Sequence, residues 1–527
     1  MTILLAAAPP GGGRSPLTQR FMRHFNVLSM PEANTETMKA IFGGILDGFL
    51  HIFPTEVRAL GRNACTATID VYETIREEMR PTPSRAHYAF NLRDVAKVIQ
   101  GILQCTTETC NDPQTFVRLW IHEALRVFHD RLVSAEDREW FTKLAAEKSS
   151  RDFYQRWTFE DLFDPEDCRG VRPSILFGGF YRPGERVYSE FTLTPKVLHK
   201  YLNDFLDDYN TVQKNQMDLV FFSDAIDHLS RVARILNQPR GSALLVGVGG
   251  SGRQSLTNLA CEILEYTRFS ISVTKGYGQN EFREDLKTIM YDSGVKGTSI
   301  AFMFSETHIV HPSFLEDINS LLSAGTIPNI WLPEDMIRIV ENMRPVLKRL
   351  QVVETRENCL HYFQQRLRDN LHMVIMLSPA SDAFRAKLRD YPALLNCTTI
   401  DWYSDWPADA LRAVAERFLG STKLGLLRNA SEELKPALVD ACVMVHTSVA
   451  DVAEEFLSTM RRHVYITPKT FLDSITLYLQ LLAERGGEVE GKRERLQTGI
   501  DKLESTNKMV EKMQVQLTEM QPKLAEK

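Results

Sequence analysis

The chain has 527 residues, 43% of them hydrophobic and 25% charged, with a formal net charge of −6. That length has room for several domains with sizeable cores, and the mild negative balance excludes a global basic field of the kind that binds nucleic acid. The cysteines, at 65, 105, 110, 168, 261, 359, 397 and 442, show no CxxC or His-rich spacing, so they read as buried thiols in a reducing compartment and not as a zinc site.

In chain order, residues 1–8 (MTILLAAA) read as a short β-strand. They are too short, and lack the basic lead, for a signal peptide. A loop at 9–13 (PPGGG) and a basic segment at 19–25 carrying Arg20 and Arg23 follow. Residues 33–150 read as helices, for example 37–52, 67–78 and 91–103, where apolar residues recur at three and four. Asn91 with Asp94 opens the last of these, and Pro81 and Pro83 punctuate the turn before it. Residues 151–240 are mixed and helical, with a Pro- and Gly-bearing connector at 177–184. From 242 to 402, strands at 243–246, 270–273, 299–304, 373–377 and 398–401 alternate with helices, which predicts a parallel sheet covered by helices.

Residues 407–485 return to an all-helical pattern. From Gly487 to Lys527 the chain is rich in Glu, Lys and Gln, and Leu496, Leu503, Val510, Leu517 and Leu524 recur every seven residues as one seam of a coiled coil. The second seam is ambiguous. Ile500, Asn507, Gln514 and Gln521 offer one register, and Met513 and Met520 an overlapping one. Pro522 predicts a kink near the end. No apolar run approaches the ~20 residues of a membrane span, so the chain reads as soluble and intracellular.

The densest chemistry lies at residues 243–255, ALLVGVGGSGRQS. An apolar strand runs into a glycine-rich turn and then a helical pattern at 256–266, the layout of a loop whose backbone N–H groups close around phosphate at a helix N-terminus. Gly247, Gly249, Gly250, Ser251 and Gly252 form the loop. The GxxxxGK[ST] spacing is only partly met, because Arg253 stands where lysine belongs and Gln254 where the magnesium-binding hydroxyl belongs. Ser255 binds Mg²⁺ only if the loop shifts by one residue. His308 and His311 have no third or fourth ligand nearby to make a metal site, and Trp402, Tyr403 and Trp406 read as packing.

Several blocks resemble dynein heavy chains, and among those the axonemal type: APPGGGR from Ala8, PTPSRAHYAFNLRD from Pro81, VGVGGSGRQSL from Val246, SFLEDIN from Ser313, LSP from Leu377, and Asp401 with Trp402. The resemblance spans almost the whole chain in the family's order. It implies an α/β fold: an AAA+ P-loop module, with a parallel sheet flanked by helices, helical lid subdomains and a C-terminal coiled-coil helix. The implied map assigns 1–28 to the end of the third module's large subdomain and 29–150 to its lid. A connector occupies 151–215, the fourth large subdomain 216–406, its lid 407–486 and the start of the stalk 487–527. It also implies ATP or ADP as ligand, with Mg²⁺ weak or absent. The implied partners are the remaining heavy-chain modules, intermediate and light chains and, indirectly, microtubules of a cilium or flagellum, with no nucleic acid and no membrane.

By the same resemblance, Glu306 is the water-positioning base, while Ser305 stands where an Mg²⁺-binding aspartate belongs. Ser378 holds the first sensor position. Arg20 and Arg23, and the group Arg385, Lys387 and Arg389, are candidates to act in trans on neighbouring modules. Arg93 resembles the third module's second sensor, and Lys469 is its counterpart in the fourth lid. Three departures at one site predict a nucleotide-holding module with little or no hydrolysis. A free-standing AAA+ ATPase or remodeller, and a non-hydrolysing scaffold, are the alternatives.

Overall fold

A computed structural model describes residues 2–7, 17–31, 33–82, 85–153, 177–180, 187–191, 195–213, 216–380, 382–421, 434–462 and 464–525. The chain forms two compact units, Met1–Ser404 and Asp405–Lys527. The loop expected at 9–13 lies outside the described residues.

The first unit begins with a helical layer: α1 (Thr35–Phe49), α2 (Thr55–Glu78), α3 (Leu92–Ile102), α4 (Pro113–Phe128) and α5 (Ala135–Asp152). Local chemistry sets its boundaries. Asn34, Asp112 and Ser134 each accept a hydrogen bond from a first-turn N–H, satisfying donors that the helix itself cannot. Asn91 and Asp94 form a capping box on α3, and Pro113 sits where its missing N–H costs nothing. The apolar faces meet in one core around Trp120, Phe116, Phe128, Phe141 and Phe153.

After α6 (Pro195–Val212) and α7 (Ser223–Asn237), strands alternate with helices. They are β1 (Ala243–Val246), α8 (Arg253–Ile263), β2 (Thr267–Ser270), α9 (Gln279–Tyr291), β3 (Ile300–Ser305), α10 (Pro312–Ala324), α11 (Pro333–Arg349), α12 (Arg356–Asn370), β4 (Leu371–Leu377), α13 (Asp382–Asp390) and β5 (Thr399–Trp402). The five strands form a wholly parallel sheet in the order β2-β3-β4-β1-β5. Side chains alternate between its faces. Leu244, Val246, Phe302, Phe304, Met373 and Ile375 enter one core, and Ala243, Leu245, Ala301, Met303, Val374 and Met376 the other. Both faces are covered by helices, as parallel sheets require. β1 is the switch point: the chain leaves it toward β2 on one side, and β5 closes the sheet on the other. A ligand crevice is therefore expected at the carboxyl end of β1.

The helical layer is joined to this sheet through buried charge. Asp94 pairs with Arg131 at 2.9 Å and Lys97 at 3.1 Å, and Lys97 donates to the Thr398 carbonyl at 2.8 Å. Burial pushes the Asp94 carboxyl up, but Arg131 and Lys97 outweigh it and hold it below the ordinary range. Arg231 on α7 lies 3.1 Å from Asp130 and donates to Asp401 at 3.0 Å. Arg234 pairs with Glu123, which also accepts from the Tyr188 hydroxyl. Trp402 stacks on His87, with centroids 4.6 Å apart.

The second unit comprises α14 (Ala408–Ser421), α15 (Leu434–Met460) and α16 (Pro468–Ala525). α16 has 58 residues, about 87 Å at 1.5 Å per residue, and runs unbroken past Gly487 and through Pro522. Leu496, Leu503 and Leu517 lie along it, each more than 60% exposed.

Three expectations need correction. Residues 2–7 form no strand, because among the described residues no neighbour pairs with them and an isolated strand has no ladder to stabilise it. The strand expected at 270–273 lies at Thr267–Ser270, where pairing with Ile300–Met303 and the Thr267 N–H bond to the Ser299 carbonyl set its register. α15 is long and apolar enough to cross a membrane, with a window of mean hydropathy 1.3, contrary to the expectation that no run comes close. Only 11% of that stretch is buried.

Candidate functional site

β1 ends at Val246, and its parallel registers align Val246 with Leu377 and Ser305 with Met376. The loop after β1, Glu306 after β3 and Ser378 after β4 therefore leave the sheet at one edge. Gly250 and Gly252 have φ of 84° and 88°, a region open to glycine at little cost. Gly247 is required by close approach: a Cβ there would meet the Tyr403 Cβ at 2.8 Å and Ser251 Oγ at 3.1 Å. Gly249 has open space around it. The Ser251 hydroxyl is buried with no hydrogen-bond partner. An orphaned donor beside two left-handed glycines at the head of α8 fits a phosphate group.

The cation at the loop does not face outward. Arg253 Nη1 donates to the Leu377 carbonyl at 2.7 Å and Nη2 to the Val248 carbonyl at 3.2 Å. Burial pulls its pKa below the ordinary guanidinium value. The Gly247 N–H also donates to the Leu377 carbonyl, at 3.2 Å. α8 opens directly at Arg253, so the next position is Gln254, which is exposed, and Ser255 lies about 100° further round the helix.

The same peptide group reaches the other way. The N–H of Ser378 donates to Glu306 Oε2 at 3.2 Å, while the carbonyl of Leu377 accepts from Arg253. Glu306 Oε1 accepts from Lys387 Nζ at 2.6 Å. One peptide thus links the loop's guanidinium to a carboxylate that is itself neutralised by a lysine. The Ser378 hydroxyl accepts from the Ala380 N–H, and the Ser305 hydroxyl bonds Thr307.

This placement brings Gly247 to Arg253, Glu306 and Ser378 together. Lys387 turns inward onto Glu306 of its own module, while Arg385 and Arg389 are exposed. Arg389 pairs with Asp390. Sequence reasoning grouped Lys387 with them as acting in trans. The usable signal was spacing: Lys387 lies three residues after buried Phe384 and one before buried Leu388, next to the covered face of α13. Arg20 and Arg23 are exposed, and Arg23 donates to His24. Arg93 lines a cavity of about 650 Å³ with Asn34, Glu73 and Arg76, away from this loop. Lys469 is exposed in the first turn of α16. His308 accepts from the Ser305 N–H and His311 caps α10, so both rings serve turns.

A magnesium ion finds few donors here. Ser305 offers no carboxylate and Gln254 replaces the hydroxyl. The donor set does not fit the resident Mg²⁺ of a hydrolysing P-loop site.

A family model described as the P-loop containing dynein motor region D4 matches residues 217–481, just over half of the chain. The chain belongs to the dynein heavy-chain family. A second model, the dynein heavy-chain ATPase lid domain, matches residues 45–138, within the helical layer α1–α5. Among similar dyneins, human dynein axonemal heavy chain 6 is 40% identical over 532 residues, covering 100% of this chain and 12% of that protein. Human dynein axonemal heavy chain 1 is 39% identical with the same coverage. The dynein-1-beta heavy chain of the flagellar inner arm I1 complex of Chlamydomonas reinhardtii is 39% identical, covering 97% of this chain and 11% of that protein. The chain thus spans about an eighth of the length of these dyneins, whose AAA+ modules bind nucleotide.

Proposed function

We propose that this chain supplies the part of an axonemal dynein heavy chain that runs from the end of the third AAA+ module, through the fourth, to the start of the stalk. In this reading residues 1–28 close the third large subdomain, 29–150 are its lid, and 151–215 connect it to the fourth large subdomain at 216–406. The fourth lid, at 407–486, passes into the stalk helix at 487–527. The fourth site holds ATP or ADP through the 247–252 loop and turns it over poorly or not at all. It contributes to microtubule-based motion of a cilium or flagellum by biasing the arrangement of neighbouring modules. Its partners are the remaining heavy-chain modules and, through these, intermediate and light chains and microtubules.

The observation that carries this reading is the closed circuit at the sheet edge. Arg253 is spent on two carbonyls and Glu306 on Lys387 and the Ser378 N–H. A guanidinium folded inward onto two carbonyls does not stabilise charge developing on the terminal phosphate, and Ser305 and Gln254 stand where the usual carboxylate and hydroxyl for Mg²⁺ belong. The dynein matches support the assignment to a motor, and the relatives named as axonemal or flagellar support its location.

Equilibrium binding of ATP and ADP to the whole chain, with Mg²⁺ and with EDTA, tests it, with turnover measured on the same sample. Binding that persists in EDTA without turnover is the expected result. Magnesium-dependent hydrolysis abolished by Glu306→Gln would make the site a working ATPase and sink the proposal.

A further inference from the structure

The pair Lys387–Glu306 has a consequence for which nucleotide the site prefers, resting on the nucleotide-binding reading above. A terminal phosphate held by the 247–252 loop lies at the edge where β3 and β4 end, because Ser305 and Leu377 are in register with the same stretch of sheet as Val246. It brings close to two negative charges toward Glu306, a like charge with which it competes. The two groups that ordinarily relieve that repulsion are missing: Arg253 is turned onto Leu377 and Val248, and the donors for a metal are absent from Gln254 and Ser305. Lys387 is the cation on the spot. Its ammonium sits 2.6 Å from Glu306, on a side chain 18% exposed against 35% for the carboxylate, so solvent screens the pair only in part.

We infer that Lys387 is the specificity residue of this site, an internal counter-ion that moves from Glu306 to the terminal phosphate of a nucleoside triphosphate. A lysine suits the role, since its ammonium is a point charge on a flexible stem that can serve two anions in turn. A diphosphate makes no claim on it and leaves the Lys387–Glu306 pair closed. The site therefore distinguishes ATP from ADP by whether that pair opens, and Lys387 acts in cis.

The test is the ratio of ATP to ADP affinity for the whole chain in EDTA, read by calorimetry on the unaltered protein and on Lys387→Met, Lys387→Arg, Glu306→Gln and Arg385→Met. Thermal melting checks that each variant is folded. Lys387→Met is expected to weaken ATP about tenfold, the size of one lost charge-assisted hydrogen bond, with ADP nearly unchanged. Lys387→Arg should keep the preference. Glu306→Gln should strengthen ATP and leave ADP nearly unchanged, because it releases Lys387 and removes the charge that repels the terminal phosphate. Arg385→Met, two residues away on the exposed face, should leave the ratio as it is. Parallel shifts of ATP and ADP in Lys387→Met, or loss of the ATP preference in Lys387→Arg, would overturn the inference while leaving nucleotide binding intact. No binding of either nucleotide to the unaltered chain would overturn both.

Discussion

Arg231 and Asp130 lie 3.1 Å apart with both side chains at least 95% buried, one on α7 beside the sheet and the other just after α4 in the helical layer. Each has a second partner: Arg231 donates to Asp401, the third residue of β5, and Asp130 pairs with Arg126 at 2.9 Å. The helical layer and the sheet are therefore joined by charges withdrawn from water. Such a joint need not be more stable than an apolar one, but it is costly to break by halves.

Asp130→Ala should therefore destabilise the first unit by about 3–5 kcal/mol, because it takes the buried Arg126 guanidinium's ion-pair partner and one of the carboxylates that hold buried Arg231. Arg62→Ala, which breaks an exposed pair with Asp47, should cost less than about 1 kcal/mol. Denaturant unfolding of the two variants measures the difference. Equal effects would mean that the buried network is not what joins the layers.

Acidification should destabilise the first unit before its carboxylates titrate. Burial lowers His87 to about 3 and His129 to about 4, and lowers His372 as well. In the folded state each stays neutral at a pH where the unfolded chain takes up a proton. Stability is therefore greatest above the unfolded histidine pKa of about 6.5 and falls as pH drops from there toward 4, by about 1.4 kcal/mol per pH unit for each histidine. Unfolding free energy measured from pH 7.5 to 4.5 checks this. A flat profile above pH 5 would show that these rings are protonated in the folded chain.

Gly247→Ala should be far more damaging than Gly249→Ala. The first places a Cβ 2.8 Å from the Tyr403 Cβ, and the second meets nothing within 4 Å. Since Tyr403 is fixed by stacking on His228 at 3.8 Å, the clash moves the loop. Overpacking of this kind costs about 1–3 kcal/mol and should remove nucleotide binding, whereas Gly249→Ala should retain it. Melting temperature and ATP affinity on both variants decide the matter.

Arg253→Lys restores the usual P-loop cation, yet should not by itself start turnover. Ser305 still lacks the carboxylate, and Gln254 the hydroxyl, that would hold Mg²⁺ at the phosphates. Phosphate release assayed with excess Mg²⁺ is the measurement. Robust hydrolysis by this single variant would place the whole defect at Arg253.

What the sequence by itself determined is whatever depends on near neighbours along the chain. The continuous apolar runs at 243–246 and 300–304 announce buried strands, the glycines at 247 and 252 announce a loop at a helix head, and Asn91 with Asp94 announces the start of α3. In each case the physical cause acts within a few residues. What only the tertiary structure decided is where long charged side chains end. Arg253 finds Leu377 at a separation of 124 residues, and Lys387 finds Glu306 at 81. Both residues sit on helices whose local pattern allows them to face either solvent or the sheet edge. Parallel crossovers bring distant strand ends to one edge, and there the carbonyl or carboxylate that a half-buried cation can reach, not any periodicity, selects the partner.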